Sequence, residues 1–208
     1  GYEDGVNVRI DARWGDDSRE RMNALATELL ATQPEFNVTL GPAVFPFLRS
    51  GTTLPLAFVF SGDPVEGKLV DSLARPGRNM TGLTQLSLEL AGKRMDILRQ
   101  ALPRLKKVAV VANTGHPGEQ SEWRVSRQAA DALELSVEYL PMRSPDDIGP
   151  TLLAAKRAQC EAVLAFPDAG MMGHSERFAA FGMENALPAI SGWAEFAKRG
   201  NLLSYGPN

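Results

Sequence analysis

The stretch Leu56-Ala57-Phe58-Val59-Phe60 is apolar at every position. A run so short and so unbroken fits a strand buried on both faces, as in a parallel sheet covered by helices. Val108-Ala109-Val110-Val111-Ala112 and Ala162-Val163-Leu164-Ala165-Phe166 have the same character. Three such runs set the fold class, and the segments between them show how the strands are connected.

Ahead of the first run, Met22, Leu25, Ala26 and Leu29 fall on one stripe of an amphipathic helix, with Ser18 placed to cap its start. Phe36 to Leu40 reads as a strand, and a short helix begins at about Ala43. Val6 to Trp14 alternates strictly, with Val6, Val8, Ile10, Ala12 and Trp14 on one face, which predicts a half-buried strand. Beyond the first run, the turn-rich Arg75-Pro76-Gly77-Arg78-Asn79 and the segment Met80 to Thr84 read as a crossover. Helix Leu88 to Leu102 follows, with its stripe at Ala91, Met95, Leu98 and Leu102. Next comes a helix with Val125, Ala129 and Leu133 on one side.

Ser144-Pro145-Asp146-Asp147 supplies a capping hydroxyl, a proline at the first helical position and an acid at the third, so a helix starts there and runs to about Ala158. A helix with Phe178, Phe181 and Gly182 inward, strand Leu187 to Ser191, a short helix from Glu195 to Lys198 and strand Leu202 to Tyr205 complete the pattern. Strand and helix alternate in two series joined by a thin connection. That predicts an α/β protein of two doubly wound, mainly parallel lobes.

Composition narrows the function. The 208 residues are 44% hydrophobic with a formal net charge of -3, so no positive field is present to hold phosphates, and nucleic acid is not an expected partner. Cys160 is the single cysteine, which rules out an intrachain disulfide and a thiolate metal cluster. No apolar run approaches the roughly 20 residues that cross a bilayer.

Open parallel sheets bind ligands beyond the carboxyl ends of their strands. Here those ends are Gly41-Pro42, Ser61-Gly62-Asp63-Pro64, Asn113-Thr114-Gly115-His116-Pro117, Asp168-Ala169-Gly170 and Gly192-Trp193. Turn chemistry alone also favours such residues. Trp193, Tyr205 and Phe60 are aromatics near strand ends and suit either a ligand wall or a core.

Several motifs imitate catalytic sites. Gly62 to Lys68 matches the first seven positions of a phosphate-binding P-loop between a predicted strand and helix. However, Leu69 lacks the magnesium-binding hydroxyl, Pro64 removes an N–H, and Asp63 and Glu66 place negative charge beside the phosphates. His116 and His174 have no partner at a metal-ligand spacing, so neither a metal nor a cofactor is expected. Gly173-His174-Ser175-Glu176-Arg177 ends in arginine where a nucleophile elbow needs glycine, and Ser175 reads as a helix cap. Asp63 and Asp168 would be the carboxylates of an enzyme reading, although two ligand-binding or turn aspartates fit them better.

Longer phrases carry a resemblance. Gly1-Tyr2-Glu3-Asp4-Gly5-Val6-Asn7, then Asp63-Pro64-Val65, then Leu69-Val70-Asp71-Ser72-Leu73-Ala74-Arg75-Pro76-Gly77-Arg78-Asn79-Met80-Thr81-Gly82 are similar to phrases of a bacterial family of ABC-transporter substrate-binding proteins. That family includes tryptophan- and tyrosine-binding lipoproteins. Lys93-Arg94, Asn113, Asp168, Trp193-Ala194-Glu195-Phe196 and Leu203-Ser204-Tyr205-Gly206 follow in the family's order. The resemblance implies a hinged type I periplasmic-binding fold, with residues 1–84 as first lobe, 85–193 as second and 194–208 returning to the first.

The resemblance also implies that Gly41, Pro42, Ser61, Asp63, Asn113, Asp168, Trp193 and Tyr205 approach a small amino-acid-like or carboxylate-bearing solute between the lobes. An ABC permease and its ATPase are the implied partners, in the periplasm or another extracytoplasmic space, with the membrane met only through the transporter or a lipid anchor. Members carry an export signal, a strand and a helix before the Gly-Tyr phrase, and further helices after the Ser-Tyr-Gly phrase. A fragment lacking these is therefore expected. Two other functions remain open on this fold: the ligand-sensing domain of a regulator, and a small-molecule enzyme using Asp63 and Asp168.

Overall fold

The computed structural model describes residues 1–16, 18–84, 87–116 and 118–207. Pro117 of the third strand end, and residues 85 and 208, which bound the expected second and returning segments, lie outside the described residues. The chain divides into two compact units, one of Gly1–Phe60 with Pro64–Leu83 and the other of Ser61–Asp63 with Thr84–Asn208.

The first unit contains α1 (Arg19–Ala31), β1 (Asn37–Leu40), α2 (Val44–Ser50), β2 (Leu56–Phe60) and, except for its last residue, β3 (Met80–Thr84). Ser18 caps α1, its side chain accepting from Arg21 N. The sheet runs β1-β2-β3, with β1 and β2 parallel. Phe47, Leu56, Phe58, Phe60 and Leu69 centre its core. Met80–Thr84, expected as a crossover, is thus the third strand of this sheet.

Two other expectations fail in this unit. Val6 to Trp14 forms no strand beyond a single bridge from Asp4 to Val8, and Val6, Ile10 and Trp14 are 73%, 62% and 69% exposed. Alternation makes a strand only where a neighbouring backbone takes up its N–H and C=O groups, and among the described residues none does so here. The helix expected after Phe60 is also missing, because residues 64–68 form turns and Lys68 has a φ of 57°.

The second unit contains α3 (Ser87–Ala101), β4 (Lys107–Asn113), α4 (Glu119–Ala132), β5 (Ser136–Met142), α5 (Ile148–Arg157), β6 (Ala162–Ala165), α6 (Ala169–Met172), α7 (Ser175–Asn185), β7 (Ala189–Ser191), α8 (Ala194–Lys198) and β8 (Leu203–Ser204). Its sheet is parallel throughout, in the order β5-β4-β6-β7-β8. Ser144 and Asp147 form the predicted capping box ahead of α5.

Successive residues of each strand serve opposite faces. Val108, Val110, Leu164 and Ile190 pack with Met95 and Leu98 of α3 and Ala130 of α4. Ala109, Val111, Val163 and Ala189 pack with Leu152 of α5, Phe178 of α7 and Phe196 of α8. Burial of each large aliphatic side chain contributes about 1.5–3 kcal/mol.

Three details differ from the sequence reading. Residues Leu203–Ser204 pair with β7 and so extend the second sheet, rather than returning to the first. Strand β5 is an additional edge strand, a position that tolerates its Pro141. Ser175 is the first residue of α7, with His174 at the cap position.

Candidate ligand site

Because the second sheet is parallel, β4, β6, β7 and β8 all end at one edge. Asn113 closes β4, Asp168 follows β6 after Phe166 and Pro167, Trp193 follows β7, and Tyr205 follows β8.

Asn113 is fixed from two sides. Its Oδ1 accepts from Gly115 N at 2.9 Å, and its Nδ2 donates to Asp168 Oδ1 at 3.1 Å. The first bond identifies which end of the amide is oxygen, so the second is a true donation to the carboxylate. Asp168 Oδ1 also accepts from Met171 N at 3.2 Å, and the residue is only 8% exposed. Two donors on one oxygen hold the carboxylate in place.

Residues 61–63 group with this unit. Ser61 Oγ lies 2.7 Å from His116 Nε2, and His116 Nδ1 accepts from Gly118 N at 3.2 Å. A ring nitrogen that accepts carries no hydrogen, so in the neutral ring Nε2 holds the proton and donates it to Ser61. Burial pushes the His116 pKa below its ordinary value, against the opposing charges of Asp168 and Glu119. In this tautomer the ring cannot take a proton from the serine. The pair is therefore no nucleophile and base, and the Ser61 hydroxyl keeps its own hydrogen to donate elsewhere.

Behind the edge lies a buried polar group that sequence reasoning missed. Arg94 and Glu122 are both 0% exposed, with Nη1 and Oε2 3.9 Å apart. Arg94 Nε donates to Tyr205 O at 2.8 Å. Burial raises the Glu122 carboxyl to about 8; Arg94 opposes the shift, while Asp168 and Glu119 add to it. Glu119, on the same helix, accepts from Tyr139 Oη and Gln120 Nε2.

Signals for both residues were present. Arg94 sits between Ala91 and Leu98 of the predicted core stripe. Glu122, Ser126 and Ala130 recur at a spacing of four and are the buried line of α4, whereas Val125, Ala129 and Leu133 are only half-buried.

The other predicted residues separate. Asp63 is exposed, Trp193 is half-buried against the α7/α8 side of the core, and Tyr205 is 39% exposed. Gly41 and Pro42 belong to the first unit, in a 3-10 turn at the carboxyl end of β1, with Gly41 at a φ of 58°. Among the described residues no group of three His, Cys, Asp or Glu is placed to hold a metal ion.

The model of the family described as ABC transporter substrate binding protein matches residues 1–208. The chain belongs to that family. It is 27% identical over 116 residues to a tyrosine-binding protein of Clostridioides difficile, which covers 55% of this chain and 33% of that protein. Of two similar solved structures, a conserved domain protein from Vibrio cholerae matches with a TM-score of 0.90 at 22% identity, over 98% of this chain and 68% of that one. The other is an ABC domain in complex with L-Trp from Streptococcus pneumonia, with a TM-score of 0.80 at 17% identity, over 90% of this chain and 63% of that one. The chain thus spans a third of its curated relative and about two thirds of these structures. The fold is that of type I periplasmic-binding proteins.

Proposed function

We propose that this chain belongs to the extracytoplasmic solute-binding component of an ABC importer, and that it binds a small amino-acid-like or carboxylate-bearing solute without changing it. The observation that carries this reading is the held, buried carboxylate of Asp168, together with a Ser61 hydroxyl that keeps its own hydrogen against His116. Asp168 meets the solute's ammonium, Ser61 donates to its carboxylate, and Asn113 keeps the aspartate in place. Trp193 covers the apolar part, with Tyr205 at the rim. Gly41, Pro42 and Asp63 supply further contacts. The partners are the solute, a permease and its ATPase.

Support comes from a relative named a tyrosine-binding protein and from a similar structure in complex with L-Trp; tyrosine and tryptophan are both amino acids with an aromatic side chain. The proton arrangement at Ser61 and His116 weighs against an enzyme. The test is a thermal-shift series with L-tyrosine, L-tryptophan and 4-hydroxybenzoate, alongside native mass spectrometry of the purified protein. The expected result is a saturable upward shift with at least one of them, and recovery of every compound intact. No shift with any, or formation of a product, contradicts the reading.

A further inference from the structure

We propose that Arg94 is the positioning residue of the ligand site: its buried guanidinium locks the three turns that carry Asp168, Trp193 and Tyr205. The inference rests on the assignment of those three residues to the site.

The geometry converges on one side chain. Nε donates to the carbonyl of Tyr205 at 2.8 Å. A Cβ at Gly192, the residue before Trp193, would lie 2.7 Å from Arg94 Nη2 and 2.8 Å from Pro167 Cγ. Pro167 precedes Asp168, so the guanidinium, Gly192 and Pro167 fill one tight space. A Cβ at Gly206, next to Tyr205, would lie 1.7 Å from the Gly192 carbonyl oxygen, so the turns after β7 and β8 are pressed together in turn. Arg94 thus bonds the Tyr205 carbonyl and lies against Gly192, beside Trp193, in a space shared with Pro167, beside Asp168.

Stability does not explain an arginine here. It occupies the core stripe of α3 beside Ala91, Met95 and Leu98, all 0% exposed. Nη1 and Nη2 have no hydrogen-bond partner among the described residues, and the Glu122 carboxyl, 3.9 Å from Nη1, is beyond hydrogen-bond distance. Desolvation of such a charge commonly outweighs what it gains, and an apolar side chain of similar volume serves a core as well or better. What an apolar side chain cannot do is bond the Tyr205 carbonyl while its flat end packs against Gly192 and Pro167. The rigid, permanently charged fork of arginine does both.

Hydrogen exchange followed by mass spectrometry tests this on the full chain, using Arg94→Met and Arg94→Lys. The reporter amides are Met172, Phe196 and Tyr205, which bond to Asp168 O, Trp193 O and Ser191 O. Arg94→Met is expected to keep or raise the melting temperature, yet speed exchange at all three turns by about tenfold or more, with β4 and α5 unchanged. Arg94→Lys keeps the charge but not the fork, and gives the same local pattern to a smaller extent; it decides the matter if the methionine variant does not fold. Wild-type rates at the three turns in both variants, or faster exchange spread evenly through the unit, would overturn the proposal. Calorimetry with L-tyrosine and L-tryptophan adds an expected loss of about tenfold or more in affinity. If the wild type binds neither, the ligand reading fails while the exchange data still decide the role of Arg94.

Discussion

His116 Nε2 stands 2.7 Å from Ser61 Oγ with the proton on the ring, because His116 Nδ1 is occupied by the Gly118 N–H. A site that looked like a serine–histidine pair is therefore wired in the opposite sense. The relationship extends to the strand ends, since burial keeps the ring neutral although Asp168 and Glu119 favour its charged form.

The first prediction concerns that ring. Nitrogen NMR is expected to show neutral His116 with hydrogen on Nε2 at neutral pH, titrating below its ordinary value of 6.5. A histidine with a depressed folded pKa supports the fold above its unfolded pKa, and that support is lost as pH falls through the folded one. Stability should accordingly decline on the acid side of about 6.5, and Ser61→Ala should move the His116 titration. A ring charged at pH 7, or protonated on Nδ1, contradicts the assignment.

Glu122 gives the opposite pH dependence. Its carboxyl is raised from 4.5 to about 8, chiefly by burial, so the folded state holds a proton that the unfolded state releases. Stability from this group is complete below about 4.5 and is lost as pH rises towards 8. Glu122→Gln has no proton to hold. It is expected to gain on the wild type as pH rises through this window, by about 1–3 kcal/mol near pH 8. Denaturant melts at several pH values check this, and a constant gap contradicts it.

How far the sequence carried these residues differs from case to case. Asn113 and Asp168 were readable as strand ends because buried parallel strands are unbroken apolar runs, and parallel order puts their ends on one edge. Their bond at 3.1 Å follows from β4 and β6 being neighbours. Val6 to Trp14 misled because period-two alternation describes a side-chain pattern and says nothing of a pairing partner. The pairing of Leu203–Ser204 with β7 was hidden for the same reason, since two short strands carry little register information. Arg94 and Glu122 escaped because helix stripes were sought among apolar residues alone; Arg94 entered only as part of the Lys93-Arg94 phrase of the resemblance. Gly192 read as part of a turn-rich strand end and Gly206 only as part of a family phrase, whereas the structure requires both for close approach.

The P-loop imitation yields a negative prediction. Residues 64–68 form turns with no helix after them, so the backbone N–H groups that would cradle phosphate are not aligned by a helix start. ATP or GTP with magnesium is expected to leave the melting temperature unchanged. A saturable shift at micromolar nucleotide would show that the motif binds after all.

The ammonium contact of Asp168 is the centre of the account, and calorimetry tests it most directly. Wild type, Asp168→Ala and Asp71→Ala are titrated with whichever of L-tyrosine and L-tryptophan stabilises the wild type. Asp71 is an exposed residue 3.4 Å from Arg78 and serves as the control. Asp168→Ala should lose about 1–3 kcal/mol of binding free energy, because a buried charge on the ligand loses its partner. Asp71→Ala should bind as the wild type does. Equal affinities for all three proteins would contradict the account by removing Asp168 from the site.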